Sequence, residues 1–130
     1  VFNDVSSRAV QSAHFQWYRG KSFDTYAAMG PCILHKSAMP FPIEAKISCT
    51  VNGELRQSSN TRYLIKNIPE LISELSRGMT LEPGDIIATG TPSGTGMGFA
   101  PPRFLRPGDV VCCRIPEIGD LVNTVAPVHF

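Results

Sequence analysis

Three short stretches carry residue types that could do chemistry together. In "NDVSSRAVQ", residues 3–11, Asp4, Arg8 and Gln11 stand four and three positions apart. On a helical turn Arg8 and Gln11 share a face, with Asp4 at its entrance. A hard oxygen ligand, a guanidinium and an amide suit a small anionic substrate held on Mg²⁺. The structural alternative makes Asp4 or Ser6 the N-cap of a short helical turn. In "GKSFDTYAAMGP", residues 20–31, Lys21 sits between a glycine and a run that reads as the start of a buried strand. A surface lysine needs no partner, whereas one aimed into a pocket needs negative charge beside it.

The third stretch, "ATGTPSGTGMG" at residues 88–98, is the richest in glycine. It lacks the G-K-[ST] ending of a phosphate loop. Gly94, Gly96 and Gly98 do not give G-x-G-x-x-G, and the following "FAPPRF" cannot open the required helix. Nucleotide binding is therefore excluded. A plain structural turn is one reading; the other is a loop that brings backbone N–H groups and the Thr91 hydroxyl against a ligand. His14, His35 and His129 are scattered without ligand spacing and read as structural or solvent-facing. Cys32, Cys49, Cys112 and Cys113 form no C-x-x-C pair, which argues against zinc. Cys112 and Cys113 lie in a β-prone run, so they point to opposite faces; buried, reduced thiols of a cytosolic protein are expected.

The elements that must hold these residues are mostly short strands, punctuated by eleven glycines and eleven prolines. "AKISCTVNGELRQ" alternates about Asn52-Gly53 and predicts a hairpin. Ile68, Leu71, Ile72 and Leu75 fall at helical spacing, with Pro69 in the first turn and Gly78 as a stop, predicting one clear helix near residues 68–77. "GDIIATG", "FLRPGDVVCCRI" and "LVNTVAPV" predict further strands. No βα alternation occurs, so an α+β, mainly β fold is expected rather than a doubly wound sheet.

At 130 residues the chain fits one domain. Its 42% hydrophobic and 18% charged residues are those of a folded globular protein. A net charge of +1 with no basic patch argues against nucleic-acid binding. No apolar run approaches the roughly 20 residues that cross a bilayer. A cytoplasmic location is expected. The start at "VFNDVSS" reads as mid-strand, and so as a fragment.

Taken in order, "NDVSSRAVQ", "GKSFDTYAAMGP", "VNGELRQSSNT", "LISELSRGMTLEPGDIIATGTPSGTG" and "FLRPGDVVCCRIPEIGDLVNTV" resemble the C-terminal half of the fumarylacetoacetate hydrolase family over essentially the whole chain. The resemblance implies a mixed β-roll with the N-terminal part of the catalytic domain missing. It also implies a homodimer in the full-length protein, no membrane or nucleic-acid partner, and a 2-oxo or β-diketo acid substrate handled with Mg²⁺ or Mn²⁺. Asp4 matches a metal ligand, Arg8 and Gln11 match polar residues facing the substrate, and Lys21 matches a lysine near the metal and the substrate oxygens. Thr25 matches a position just behind the metal site, and Thr91 the threonine of a substrate-contacting G-T-P loop. Ser7-Arg8-Ala9 departs from the family's A-R-D, and the paired E-x-E metal glutamates and the catalytic histidine region lie upstream.

The resemblance implies a hydrolase that cleaves a C–C bond in acylpyruvate-like substrates, as in aromatic catabolism, through a metal-bound enolate. Lys21 is then an electrostatic stabiliser of the developing charge, its glycine neighbour leaving room for close approach, with Arg8 and Gln11 gripping the carboxylate or oxyanion. Isomerisation or decarboxylation of 2-oxo diacids on the same scaffold is the alternative, and a non-catalytic ligand-binding or structural β domain is the alternative of another class. This chain alone is expected to be inactive.

Overall fold

The computed structural model describes residues 1–127. His129, and Val128 at the end of the predicted last strand, lie outside the described residues. In chain order the elements are β1 (Phe2–Asn3), α1 (Arg8–Ala13), β2 (Ala28–Met29), β3 (Lys46–Val51), β4 (Glu54–Asn60), α2 (Ile68–Leu75), β5 (Val110–Ile115) and β6 (Gly119–Thr124). Three single 3₁₀ turns lie at Trp17–Lys21, Thr61–Tyr63 and Gly96–Gly98. The fold is α+β and mainly β, as expected.

The predicted hairpin builds the centre. Asn52 and Gly53 take φ of 51° and 80°, the doubly positive geometry whose twist matches that of the flanking strands. β3 pairs antiparallel with β4 on one side and β5 on the other, and β6 completes a four-stranded sheet in the order β4-β3-β5-β6. Alternation then sends Cys49 and Val51 of β3 and Val111 and Cys113 of β5 to one face. Among the described residues, Val51, Val111 and Ala45 are the buried apolar ones. Arg56 is an extra residue on β4: Cys49 pairs with Gln57 but Thr50 with Leu55. This bulge turns the strand where the glycine-rich loop crosses it.

β1 and β2 form a separate two-stranded sheet. Asn3, only 9% exposed, ties it to the larger one by donating to Asn123 Oδ1 of β6 at 3.0 Å. α2 starts in a capping box, with the Asn67 side chain accepting from Glu70 N and the Glu70 carboxylate from Asn67 N, both at 2.9 Å. It ends at Leu75, two residues earlier than the periodicity predicts, because the chain loosens into a turn at Ser76–Gly78.

Three expectations are corrected. "GDIIATG" forms no strand: it pairs with none of the described strands, and Ile86 is 62% exposed. The run after Lys21 gives only the two-residue β2, whose Met29 is exposed rather than buried. Cys32 is exposed, while Cys49, Cys112 and Cys113 are half-buried and all four thiols are free.

The surface is large for the mass. A compact monomer of 14.2 kDa exposes roughly 6,800 Å², whereas this chain exposes 9741 Å². Phe15, Ile33 and Ile65 are essentially fully exposed. Among the described residues no helix is long and apolar enough to cross a membrane.

Candidate active site

The site grows from how α1 begins. Its N-cap is Ser7, and the Ser7 side chain makes no capping bond. Ser6 Oγ instead donates to the Asp4 carbonyl at 3.2 Å, so neither Asp4 nor Ser6 caps the helix. The Asp4 carboxylate is left to accept from Lys21 Nζ, and the two form an ion pair. Lys21 therefore does find negative charge, from a residue seventeen positions earlier. Both side chains remain open to solvent, at 37% and 40% exposure, so the pair lies at the surface rather than inside a core.

Gly20 makes that meeting possible. Ser7 N donates to the Gly20 carbonyl at 2.8 Å, locking the 3₁₀ turn that carries Lys21 against the start of α1. A Cβ at Gly20 would lie 2.5 Å from Gln11 Cγ and 2.9 Å from the Ser7 carbonyl. The space beside Lys21 is thus filled by α1 and is not a gap for ligand, which corrects the expectation drawn from the glycine alone.

On α1 the predicted shared face exists. An Arg8 terminal nitrogen donates to Gln11 Oε1 at 2.8 Å. Gln11 is 6% exposed, and its Nε2 is buried without a partner. An unsatisfied buried donor costs about 1–3 kcal/mol. The structure thus gives two contacts, Lys21 with Asp4 and Arg8 with Gln11, carried by segments that meet where Gly20 packs on Ser7 and Gln11.

Thr25 lies on the return from Lys21 to β2, with φ of 68°, and Ala27 follows at 57°. For a β-branched residue this conformation is strained by roughly 1–3 kcal/mol. The β1–β2 pairing and the Tyr26 N bond to Phe23 O at 3.0 Å hold it. Thr91 belongs to a second group. Its hydroxyl oxygen accepts from Gln57 Nε2 at 2.8 Å, and the same nitrogen donates to the Pro92 carbonyl at 2.8 Å. Gly94, with φ of 103°, packs its backbone on β4, where a Cβ would come within 1.9 Å of the Arg56 carbonyl. No hydrogen bond joins the Thr91 group to Asp4, Arg8, Gln11 or Lys21 among the described residues.

Two positioning residues escaped the sequence reading, Asn3 and Gln57. The available signal was a polar side chain at a face-inward strand position, which must find a hydrogen-bond partner. His14 and His35 are exposed, meeting Arg19 and Ser37. Among the described residues no three His, Cys, Asp or Glu side chains gather as a metal site. Asp4, exposed and acceptor-only, fits the share of an Mg²⁺ site that one carboxylate provides.

Residues 1–126 match the profile of the fumarylacetoacetate (FAA) hydrolase C-terminal domain. The chain is 53% identical over 125 residues to the oxaloacetate tautomerase YisK of Bacillus subtilis (strain 168), a match covering 96% of this chain and 42% of that protein. Its fold superposes with a TM-score of 0.92, at 46% identity, on the fumarylacetoacetate hydrolase of Exiguobacterium antarcticum, covering 96% of this chain and 45% of that one. It superposes at 0.90, with 35% identity, on a probable 2-hydroxyhepta-2,4-diene-1,7-dioate isomerase from Mycobacterium abscessus, covering 96% and 48%. The chain spans less than half the length of these relatives. With one profile and these structures agreeing over nearly its whole length, the chain belongs to the fumarylacetoacetate hydrolase family and matches its C-terminal domain.

Proposed function

We propose that this chain forms one wall of the active site of an enzyme that interconverts keto and enol forms of a 2-oxo diacid such as oxaloacetate. The observation that carries the reading is the Lys21–Asp4 ion pair, held through Gly20 against the helix whose Gln11 keeps an unpartnered Nε2. In keto–enol exchange an α-proton leaves and negative charge develops on the 2-oxo oxygen. A fixed ammonium stabilises that charge more in the transition state than in the bound keto acid. The Arg8 fork grips the substrate carboxylate, and Gln11 Nε2 donates to one of its oxygens. Because the Thr91 oxygen accepts from Gln57, its own proton is free to donate to substrate.

Asp4 would supply one ligand to Mg²⁺ or Mn²⁺, and a bound ion would polarise the substrate oxygens as a Lewis acid. Further ligands and the proton-transferring base come from sequence outside this chain. The large apolar surface favours burial against that sequence and against a second copy in a homodimer.

C–C bond hydrolysis of an acylpyruvate is the second reading, supported by the likeness to a fumarylacetoacetate hydrolase. It shares the enolate and adds a positioned water. The test uses the intact protein with its native flanking sequence and Mg²⁺. Faster loss of enol-oxaloacetate absorbance, with no new carbonyl product from acylpyruvates, supports the tautomerase. Release of pyruvate from an acylpyruvate supports the hydrolase instead. Inactivity on both overturns the enzymatic reading in favour of a binding domain.

A further inference from the structure

The central strands of the sheet carry a feature that the enolate chemistry leaves unused. Cys49 of β3 stands directly opposite Cys113 of β5. Asn52 N donates to the Val110 carbonyl at 2.8 Å, which makes 52 and 110 a hydrogen-bonded pair. Counting back along the antiparallel ladder, 49 and 113 are then a non-hydrogen-bonded pair, the type whose Cα atoms approach to about 4.5 Å and whose side chains lie closest. That spacing falls within the range a disulfide spans. The Sγ atoms are already 3.8 Å apart, with the Cys113 thiol directed at Cys49. Neighbouring Cys112 faces the other side of the sheet, and Cys32 is exposed on a loop.

We propose that Cys49 and Cys113 are a reversible dithiol–disulfide pair, oxidised by a peroxide, with Cys49 as the attacking sulfur and Cys113 as the resolving one. The two thiols are electrostatically unequal. The hydrogen bond from Cys113, aided by the Arg56 guanidinium against the opposing effect of burial, lowers the Cys49 thiol to about 7. The same hydrogen bond, with burial, raises Cys113, which keeps its proton. In the first step the Cys49 thiolate attacks the peroxide: an S–O bond forms, the O–O bond breaks, and the departing hydroxide or alkoxide takes up a proton. In the second, Cys113 sulfur displaces the sulfenic hydroxide, an S–S bond forms, and the Cys113 proton leaves with that hydroxide as water. The two thiols lose two electrons and the peroxide gains them.

The position gives the pair a reach. Cys49 is flanked on its other side by Gln57, the residue that holds Thr91 and Pro92. A covalent tie between β3 and β5 therefore forms beside the anchor of the glycine-rich loop.

The experiment exposes the intact, reduced protein to hydrogen peroxide, blocks remaining thiols, and maps peptides by mass spectrometry without reductant. The expected product is a single cross-link joining the Cys49 and Cys113 peptides, lighter by two hydrogens and reopened by dithiothreitol. Cys112→Ser should still form it. Cys113→Ser should instead leave a sulfenic acid on Cys49 that a dimedone probe traps. Linkage of Cys49 to Cys32 or Cys112, or oxidation at Cys32 with both strand thiols still blocked as free, overturns the proposal. The wild-type map does so even if a variant fails to fold.

Discussion

Lys21→Met is the most informative perturbation, because the structure separates its effect on stability from its effect on catalysis. Both partners of the Lys21–Asp4 pair are more than a third exposed. Solvent-screened pairs of this kind contribute about 0–1 kcal/mol. Methionine keeps most of the apolar stem, and Asp4 can be hydrated where it stands. Thermal unfolding of the intact protein should therefore shift by no more than roughly 4 °C. Removing one preorganised electrostatic group at a developing oxyanion costs on the order of 10²–10³-fold in kcat, or about 2.7–4 kcal/mol. The catalytic loss exceeds the stability loss, so a folded, inactive variant is expected. KM should move by less than about threefold, since the charge Lys21 meets is larger in the transition state than in bound substrate. Steady-state kinetics on enol-oxaloacetate across an Mg²⁺ series supply the assay. Asp4→Asn should lose activity that added Mg²⁺ or Mn²⁺ partly restores, whereas Lys21→Met should not respond to metal. If Lys21→Met keeps kcat within about threefold of the parent at saturating metal, Lys21 is an ordinary surface lysine and the enolate role is wrong.

Gly20→Ala should cost about 1–3 kcal/mol through overpacking, because its Cβ meets the Ser7 carbonyl and the Gln11 side chain; a lowered Tm together with a raised KM is expected in unfolding scans and kinetics. Gln57→Leu removes both donors to the Thr91–Pro92 segment. It should raise KM on the order of tenfold, equivalent to about 1.4 kcal/mol, and speed hydrogen exchange in residues 88–94; unchanged exchange would count against Gln57 as the anchor. Asp109 is held below its ordinary value of 3.8 chiefly by the Asn52 side chain and then by the Arg106 backbone N–H. A depressed folded value stabilises the fold above the unfolded value and loses that contribution as pH falls through the folded one. Asp109→Asn should therefore flatten the loss of urea resistance below about pH 4 and leave the neutral-pH dependence unchanged.

Much of this protein is written locally. Asn52-Gly53 makes its hairpin because two consecutive left-handed residues suit few side chains. Asn67, Pro69 and Glu70 start α2 with bonds made within four residues. The Asp4, Arg8 and Gln11 spacing foretold one helical face, and Arg8 and Gln11 do meet there. The family was also legible, since five stretches in the right order identify it even where each alone is weak. What the tertiary structure decided are the pairings between distant segments. The family resemblance set Lys21 and Asp4 about one metal, but their direct ion pair depends on Gly20 packing against Ser7 and Gln11. "GDIIATG" has the composition of a strand, but a strand needs a neighbouring edge, and composition carries no record of edges. Asn3 with Asn123, Gln57 with Thr91, and Cys49 with Cys113 depend on strand order and register. Register is set by how whole faces bury, and a slip of one residue would turn each of these side chains to the opposite side.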